Sequence, residues 1–374
     1  MSSFPYQKLI RPDDYIIVAF DKLKKIKLKD RLVICSELEY TGSIDNLRKK
    51  LKIKKFGKAH FYIDNSNDTY TDEYSVNSLS DIFNESIRME CNVFDKISPV
   101  KFYEKNRDDI IDAVNKKYNV NKISTKLFTH YVREKIYELH PFECTPFNPS
   151  LYSCIIEMAS KILDTNKLCI LDPSCGWGDR LISVLSSKFI KEYNGCDPNE
   201  KLYPGYLNII KTIGKISDYK INENYVNVIK NKYTEIKCNT SNININIQCL
   251  PFEKSGFELS KYDLVCTSPP YFNAETYSND ITQSIMSNKT EKDWFNQFLC
   301  VLIDKSSEYL KPGGLLILHI SQHKRHHYIE WMIKKKYKNL ISLGIFGCKG
   351  ESNKIFPLFV WRKKGVKNII DIKK

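Results

Sequence analysis

The residues best suited to chemistry are Thr267, Ser268, Pro269, Pro270 and Tyr271, which directly follow the apolar run Tyr262-Asp-Leu-Val-Cys. Two prolines behind a buried strand remove ladder donors and fix the backbone, so a carbonyl points outward. Ser268 sets a hydroxyl beside that carbonyl, and Tyr271 adds a ring face. The group can accept two hydrogen bonds from a planar amine and stack on the ring that carries it. Three other short clusters follow apolar runs in the same way. In Asp172-Pro173-Ser-Cys175-Gly176-Trp-Gly178, the glycines let a ligand approach the backbone, and the next helix start offers free N–H groups. The third glycine of a dinucleotide fingerprint would fall at 181, which is Leu181, and this weakens a nicotinamide reading. Asp172 is a poor neighbour for pyrophosphate but suits a positively charged ligand, such as a sulfonium with an amino-acid tail. Asp197 can accept from both hydroxyls of a ribose. Phe252 and Glu253 offer a ring face and a polar group to a purine, which completes an adenine pocket.

These clusters need strands and helices to place them. Apolar runs at 168–172, 193–197, 243–250, 262–267 and 314–321 read as strands, with helices at 179–190, 200–213 and 292–310 between them. Buried parallel strands alternating with crossover helices describe a doubly wound α/β sheet. The last runs, 340–346 and 355–361, lack room for a crossover helix and should pair antiparallel. In such a sheet, ligands sit outside the C-terminal strand ends, where all four clusters fall. Before them lie a helix at 125–139, a three-proline stretch, and a helix to about 162 with Ser150 as its N-cap. Residues 15–20, 31–35 and 59–63 read as short strands of a small N-terminal α+β domain, placed at 1–120, with 121–374 as the main domain.

In their order, the 172–178 turn, the Asp197 turn and Thr267-Ser-Pro-Pro-Tyr resemble the S-adenosylmethionine-dependent amino-methyltransferases that modify DNA bases at cytosine N4 or adenine N6. The resemblance covers roughly residues 140–362. It implies a Rossmann-like seven-stranded methyltransferase sheet with an antiparallel last strand. It also implies S-adenosylmethionine held by Asp172, Pro173, Cys175, Gly176, Gly178 and Asp197, with Phe252 and Glu253 expected from their own position to complete the cofactor site, and a target amine held by Ser268, Pro269, Pro270 and Tyr271. A serine in the first motif position is associated more with cytosine, though adenine stays open. Phe272 is expected to stack with Tyr271 on a base flipped out of the duplex, and the long loop at 272–289 to close over it. This chain departs from the family in having only about 100 residues after Tyr271, so target recognition is expected from the N-terminal region. Arg180 is expected to pair with Asp172 or Asp197.

The partner is read from charge. The net charge is +14, with 13 Lys/Arg against 4 Asp/Glu between positions 22 and 58 and 16 against 4 from 305 onward. A field of that size attracts polyanions, so nucleic acid is expected, DNA before RNA. Lys324-Arg-His-His and Lys334-Lys-Lys-Tyr-Lys are candidate phosphate contacts. The twelve cysteines contain no C-x-x-C pair and read as buried thiols; no metal site is expected. No membrane span or secretory signal is expected, which points to a cytoplasmic or nuclear protein, a viral one included. Methylation of RNA or of a protein glutamine, a catalytically silent nucleic-acid-binding subunit, and a nicotinamide oxidoreductase stand as alternatives.

Overall fold

The computed structural model describes residues 3–6, 11–35, 60–68, 72–118, 122–216, 226–230, 233–239, 243–321, 326–350 and 355–365. Its strands are β1 (Leu32–Cys35), β2 (His60–Asp64), β3 (Asn92–Val93), β4 (Leu168–Asp172), β5 (Ile190–Cys196), β6 (Val226–Lys230), β7 (Tyr233–Asn239), β8 (Asn244–Gln248), β9 (Tyr262–Thr267), β10 (Glu275–Thr276), β11 (Leu310–His319), β12 (Leu340–Lys349) and β13 (Ile355–Lys363). Its longer helices are α1 (Tyr15–Lys25), α2 (Asp81–Arg88), α3 (Pro99–Lys117), α4 (Thr125–Leu139), α5 (Pro149–Ile162), α6 (Asp179–Ser186), α7 (Tyr203–Ile216) and α8 (Cys300–Tyr309).

One sheet runs in the order β1-β2-β12-β13-β11-β9-β4-β5-β8-β7-β6. The inner five strands, β8, β5, β4, β9 and β11, are mutually parallel, and β13 lies antiparallel between β11 and β12. This is the doubly wound sheet with its antiparallel last strand. β4 and most of β9 are buried on both faces, as strands covered by helices must be, so they read as continuous apolar runs instead of alternating ones.

The expected seven strands are extended at both edges. The hairpin β6–β7 adds to β8, and β2 pairs in parallel with β12 through Tyr62, Ile63 and Asp64. Residues 15–20, expected as a strand, form the start of α1. The buried residues Tyr15, Ala19, Phe20 and Leu23 follow a helical period, which outweighs the β-branched Ile16, Ile17 and Val18. The cap of α5 is Asn148, not Ser150: its side chain accepts from Leu151 N at 3.1 Å, and Pro149 takes the first helical position. Helix α6 stops at Ser186, and β5 starts three residues earlier than expected, at Ile190.

The segment before residue 120 is built into the same body. The apolar face of α1 shares a core with β4, α5, α6 and α7. Helices α3 and α4, on either side of position 120, share a small core of Tyr103, Ile110, Val114, Val132 and Ile136. Helix α2 abuts the turn after β4, where Asn84 Nδ2 donates to the Trp177 carbonyl at 2.8 Å. No helix among the described residues is long and apolar enough to cross a membrane.

Gly205 at the start of α7 marks how closely α2 approaches, because a Cβ there would collide with the Asn84 amide. Gly205→Ala should therefore cost about 1–3 kcal/mol, read as a lower melting temperature. Adding Asn84→Ala should recover part of that loss; if it recovered nothing, the clash would lie elsewhere.

Candidate active site

The strand order reverses at β4. From β4 the chain winds through β5 to β8 on one side, while β9 and β11 lie on the other. At such a switch, the turns after neighbouring strands diverge and leave a crevice. Here the crevice is a cavity of about 470 Å³. Its wall includes Pro173, Gly176, Asp197, Phe252, Glu253, Ser268, Pro269, Pro270 and Tyr271, so residues expected to hold a cofactor and residues expected to hold an amine border the same space.

The glycine turn takes its shape from two left-handed residues, Gly176 at φ +59° and Gly178 at φ +93°, a region most side chains avoid. Gly178 is the N-cap of α6 and lies behind the wall; a Cβ on it would strike Ile209. Asp172, expected to face a cationic ligand, is fully buried beneath the cavity. It accepts from Arg180 Nε at 2.7 Å, Thr267 Oγ1 at 2.8 Å, Tyr193 Oη at 2.9 Å and Ser174 N at 3.2 Å. Its charge is thus met by Arg180, the expected ion pair. Cys175 also lies below the wall, against Gly195 of β5 and the Tyr193 hydroxyl, and burial pushes its thiol well up.

Asp197 directly follows β5 and lines the cavity. It is held by Gly176 N at 2.9 Å and Asn199 N at 3.0 Å. Burial pushes its pKa up to about 6, against the pull of those two donors. After β8, Lys305 Nζ of α8 donates to the carbonyls of Phe252, Glu253 and Ser255 at 3.1, 2.8 and 2.7 Å, clamping the turn that presents Phe252 and Glu253. Burial raises the Glu253 carboxyl. Nothing in the local sequence signalled Lys305.

On the other side, Ser268 Oγ lies 3.2 Å from Tyr271 Oη, which donates to the His319 carbonyl at 3.1 Å. His319 ends β11, next to β9, and its ring meets Phe147 from the three-proline stretch nearly perpendicularly at a centroid distance of 5.3 Å. Loss of water, and then the charge of Arg180, lower its pKa to about 4, so it is neutral at physiological pH. His319 and Phe147 both line the cavity and were missed in the sequence reading; the rule that strand ends face the ligand marks His319 once β11 is known to end there.

Phe272 does not join this wall. Its backbone turns left-handed at φ +50°, and the ring packs against Trp294 and His326 in the core cluster that Tyr271 also borders, away from the cavity lining. The loop it begins does border the cavity, through Ala274, Glu275, Tyr277, Thr282, Gln283 and Ser284. The two-stranded ladder of β10 with β3 holds it, extended by Phe94 N donating to the Ala274 carbonyl at 2.8 Å. Glu275 accepts from Tyr277 Oη at 2.6 Å and Thr145 N at 2.9 Å. Lys324 and Arg325 lie outside the described residues; Lys334 pairs with Glu330.

No protein-family model matches the chain, and no curated protein does. Among solved structures, it is similar to an rRNA methylase from Streptococcus thermophilus (11% identity, 56% of this chain and 95% of that one, TM-score 0.35). It is also similar to a methyltransferase from Pyrococcus furiosus (12%, 57% and 83%, TM-score 0.36). A third is the magnesium protoporphyrin IX methyltransferase of Synechocystis PCC 6803 with bound SAM (11%, 58% and 79%, TM-score 0.34).

Asp179 at the start of α6 supplies a test of the wall. It accepts from Phe147 N at 3.2 Å and from the Ser80 hydroxyl, and burial pushes its pKa up to about 7 from 3.8. The folded state therefore keeps a proton the unfolded chain has released. The stability this provides is full below about pH 4 and is lost as pH rises to about 7. In Asp179→Asn, the fall in melting temperature between pH 5 and pH 8 should shrink; an unchanged difference would place the titration elsewhere.

Proposed function

We propose that this protein transfers a methyl group from S-adenosylmethionine to the exocyclic amine of a nucleic-acid base, with DNA cytosine N4 or adenine N6 as the acceptor. The supporting observation is that the glycine and Asp197 turns and the Ser268–Pro269–Pro270–Tyr271 element open into one cavity. The residues fit such a donor. Gly176 is on the wall in a left-handed conformation with no side chain to fill the space, Asp197 presents a buried carboxylate suited to ribose hydroxyls, and Phe252 and Glu253 suit a purine. Asp172 takes no direct part; its role is to fix Arg180 and the turn. When bound there, S-adenosylmethionine supplies an electrophilic methyl on a sulfonium.

The chain's own residues act on the acceptor. An amine conjugated to a base ring is a weak nucleophile, because its lone pair is delocalised into the ring. Hydrogen bonds from its two N–H groups to Ser268 Oγ and the Pro269 carbonyl favour a pyramidal nitrogen and aim the lone pair. Orientation of this kind can contribute on the order of 7–11 kcal/mol to a barrier. No strong base need act first, since nitrogen acidity rises sharply on methylation. The net charge of +14 favours a polyanionic substrate, and a base must leave its stack to reach a recessed cavity.

The deciding experiment supplies radiolabelled S-adenosylmethionine with duplex DNA, denatured DNA, RNA or protein and identifies the modified residue by mass spectrometry. Label in N4-methylcytosine or N6-methyladenine of DNA is expected. Label confined to RNA or to protein glutamine would reassign the acceptor, and no label anywhere would remove the enzymatic reading. Ser268→Ala should lower transfer on the order of 100-fold while sparing cofactor binding.

The donor side is tested by pH. Ribose hydroxyls donate to ionised Asp197, so affinity for S-adenosylhomocysteine should weaken as pH falls through about 6. Calorimetric titration should show that slope in the wild type and its loss, with weaker binding, in Asp197→Asn.

A further inference from the structure

Three polar atoms meet at the amine side of the cavity. Tyr271 Oη is 3.1 Å from His319 Nδ1, Ser268 Oγ is 3.4 Å from the same nitrogen, and the two hydroxyls are 3.2 Å apart. They hold two hydroxyl protons between them, and the arrangement of those protons decides what the amine meets. A serine oxygen that must accept an N–H cannot point its own hydrogen at the same nitrogen. The proton of Ser268 therefore needs another acceptor.

The geometry offers one. Tyr271 has a single proton and a carbonyl acceptor, His319 O, at 3.1 Å. With that proton spent on the carbonyl, two acceptors are in reach of the Ser268 hydroxyl, Tyr271 Oη and the imidazole nitrogen Nδ1, and Nδ1 alone carries no proton of its own in the Nε2–H tautomer. We propose that His319 is a positioning residue: neutral, with its proton on Nε2, it accepts the Ser268 hydroxyl at Nδ1 and so turns the serine lone pairs toward the target amine. The other tautomer, Nδ1–H, would donate into the two hydroxyls and could leave Ser268 presenting a hydrogen to a nitrogen that must be approached by an acceptor. The lowering of the His319 pKa to about 4 agrees with an imidazole that stays neutral through the physiological range. A 3.4 Å separation is long for a hydrogen bond of this type, but such contacts commonly tighten only when substrate is bound. His319 lies one residue beyond the Leu318–Thr267 pairing of β11 with β9, beside the strand end that carries Ser268.

This inference rests on the proposed amine transfer, and the test separates the two. Full-length wild type, His319→Ala, His319→Asn, Ser268→Ala and the Ser268→Ala/His319→Ala double variant are given saturating labelled S-adenosylmethionine and denatured DNA of mixed sequence. Single-turnover incorporation is followed, with S-adenosylhomocysteine binding and melting temperature measured on each. Asparagine can place its amide oxygen near the position of Nδ1, so His319→Asn should stay within about fivefold of wild type, while His319→Ala should fall about 10- to 100-fold in rate. Both should bind S-adenosylhomocysteine as wild type does. If His319 acts through Ser268, removing it from Ser268→Ala should cost less than about twofold more.

Losses that multiply in the double variant would overturn the assignment, as would a His319→Asn variant as slow as His319→Ala with a normal melting temperature. A wild type that transfers no label would remove the proposed function itself, and this inference with it.

Discussion

The site depends on one buried carboxylate. Asp172 is fully buried at the end of β4, with four donors that come from the following turn, α6, β5 and β9. A carboxylate out of water is costly unless it is both paired and hydrogen-bonded, and here the Arg180 guanidinium and two hydroxyls meet it. Removing one partner of such a pair typically costs about 3–5 kcal/mol, because the other charge is left buried alone. The Thr267 contact matters most for function. It ties the last residue of β9, immediately before Ser268, to the last residue of β4, immediately before the glycine turn. The halves of the cavity share a wall because these two strand ends are joined.

The segment before residue 120 performs a second kind of positioning. Helix α2 supports the back of the glycine turn through Asn84, and β3 holds the loop after Tyr271 through β10. β2 extends the sheet beyond β12. These contacts reach both turns that border the cavity, so the N-terminal region shapes the site directly. Phe94, at the edge of β3, is on the cavity wall and nearly half exposed, at 44%. Its left-handed φ of +54° is unusual for a bulky residue and is held by the hydrogen bond to Ala274.

Much of this was legible in the sequence, for reasons that differ from element to element. The parallel strands announce themselves because burial on both faces demands unbroken apolar runs, as in Leu168-Cys-Ile-Leu. The diproline element was legible as the turn that ends a strand, because proline cannot donate to the ladder. α1 misled because β-branched residues favour strands locally, while the burial that decides the outcome is set by β4 and α5 far along the chain. The added strands β6 and β7 went unseen among polar residues, where alternation is faint. The destination of Phe272 was hidden for a related reason: one left-handed residue reverses which face a side chain takes, and nothing in a phenylalanine's identity signals it.

Charge was the hardest feature to read. An aspartate at a strand end can face a ligand or a neighbour: Asp172 is the last residue of β4, paired with Gly195, and Asp197 directly follows the end of the adjacent β5. What separates them is the partner eight residues after Asp172, in the first turn of α6: Arg180 reaches Asp172 through Nε, while Asp197 receives only backbone N–H groups. An ion pair neutralises the first carboxylate and withdraws it. Two amide dipoles hold the second without neutralising it, and its oxygens stay on the wall with a pKa pushed up to about 6. A carboxylate kept buried, oriented and unpaired by a full charge gains most when a ligand brings hydroxyl donors to it. Hence of two aspartates alike in sequence context, one is withdrawn as framework and the other stays on the cavity wall.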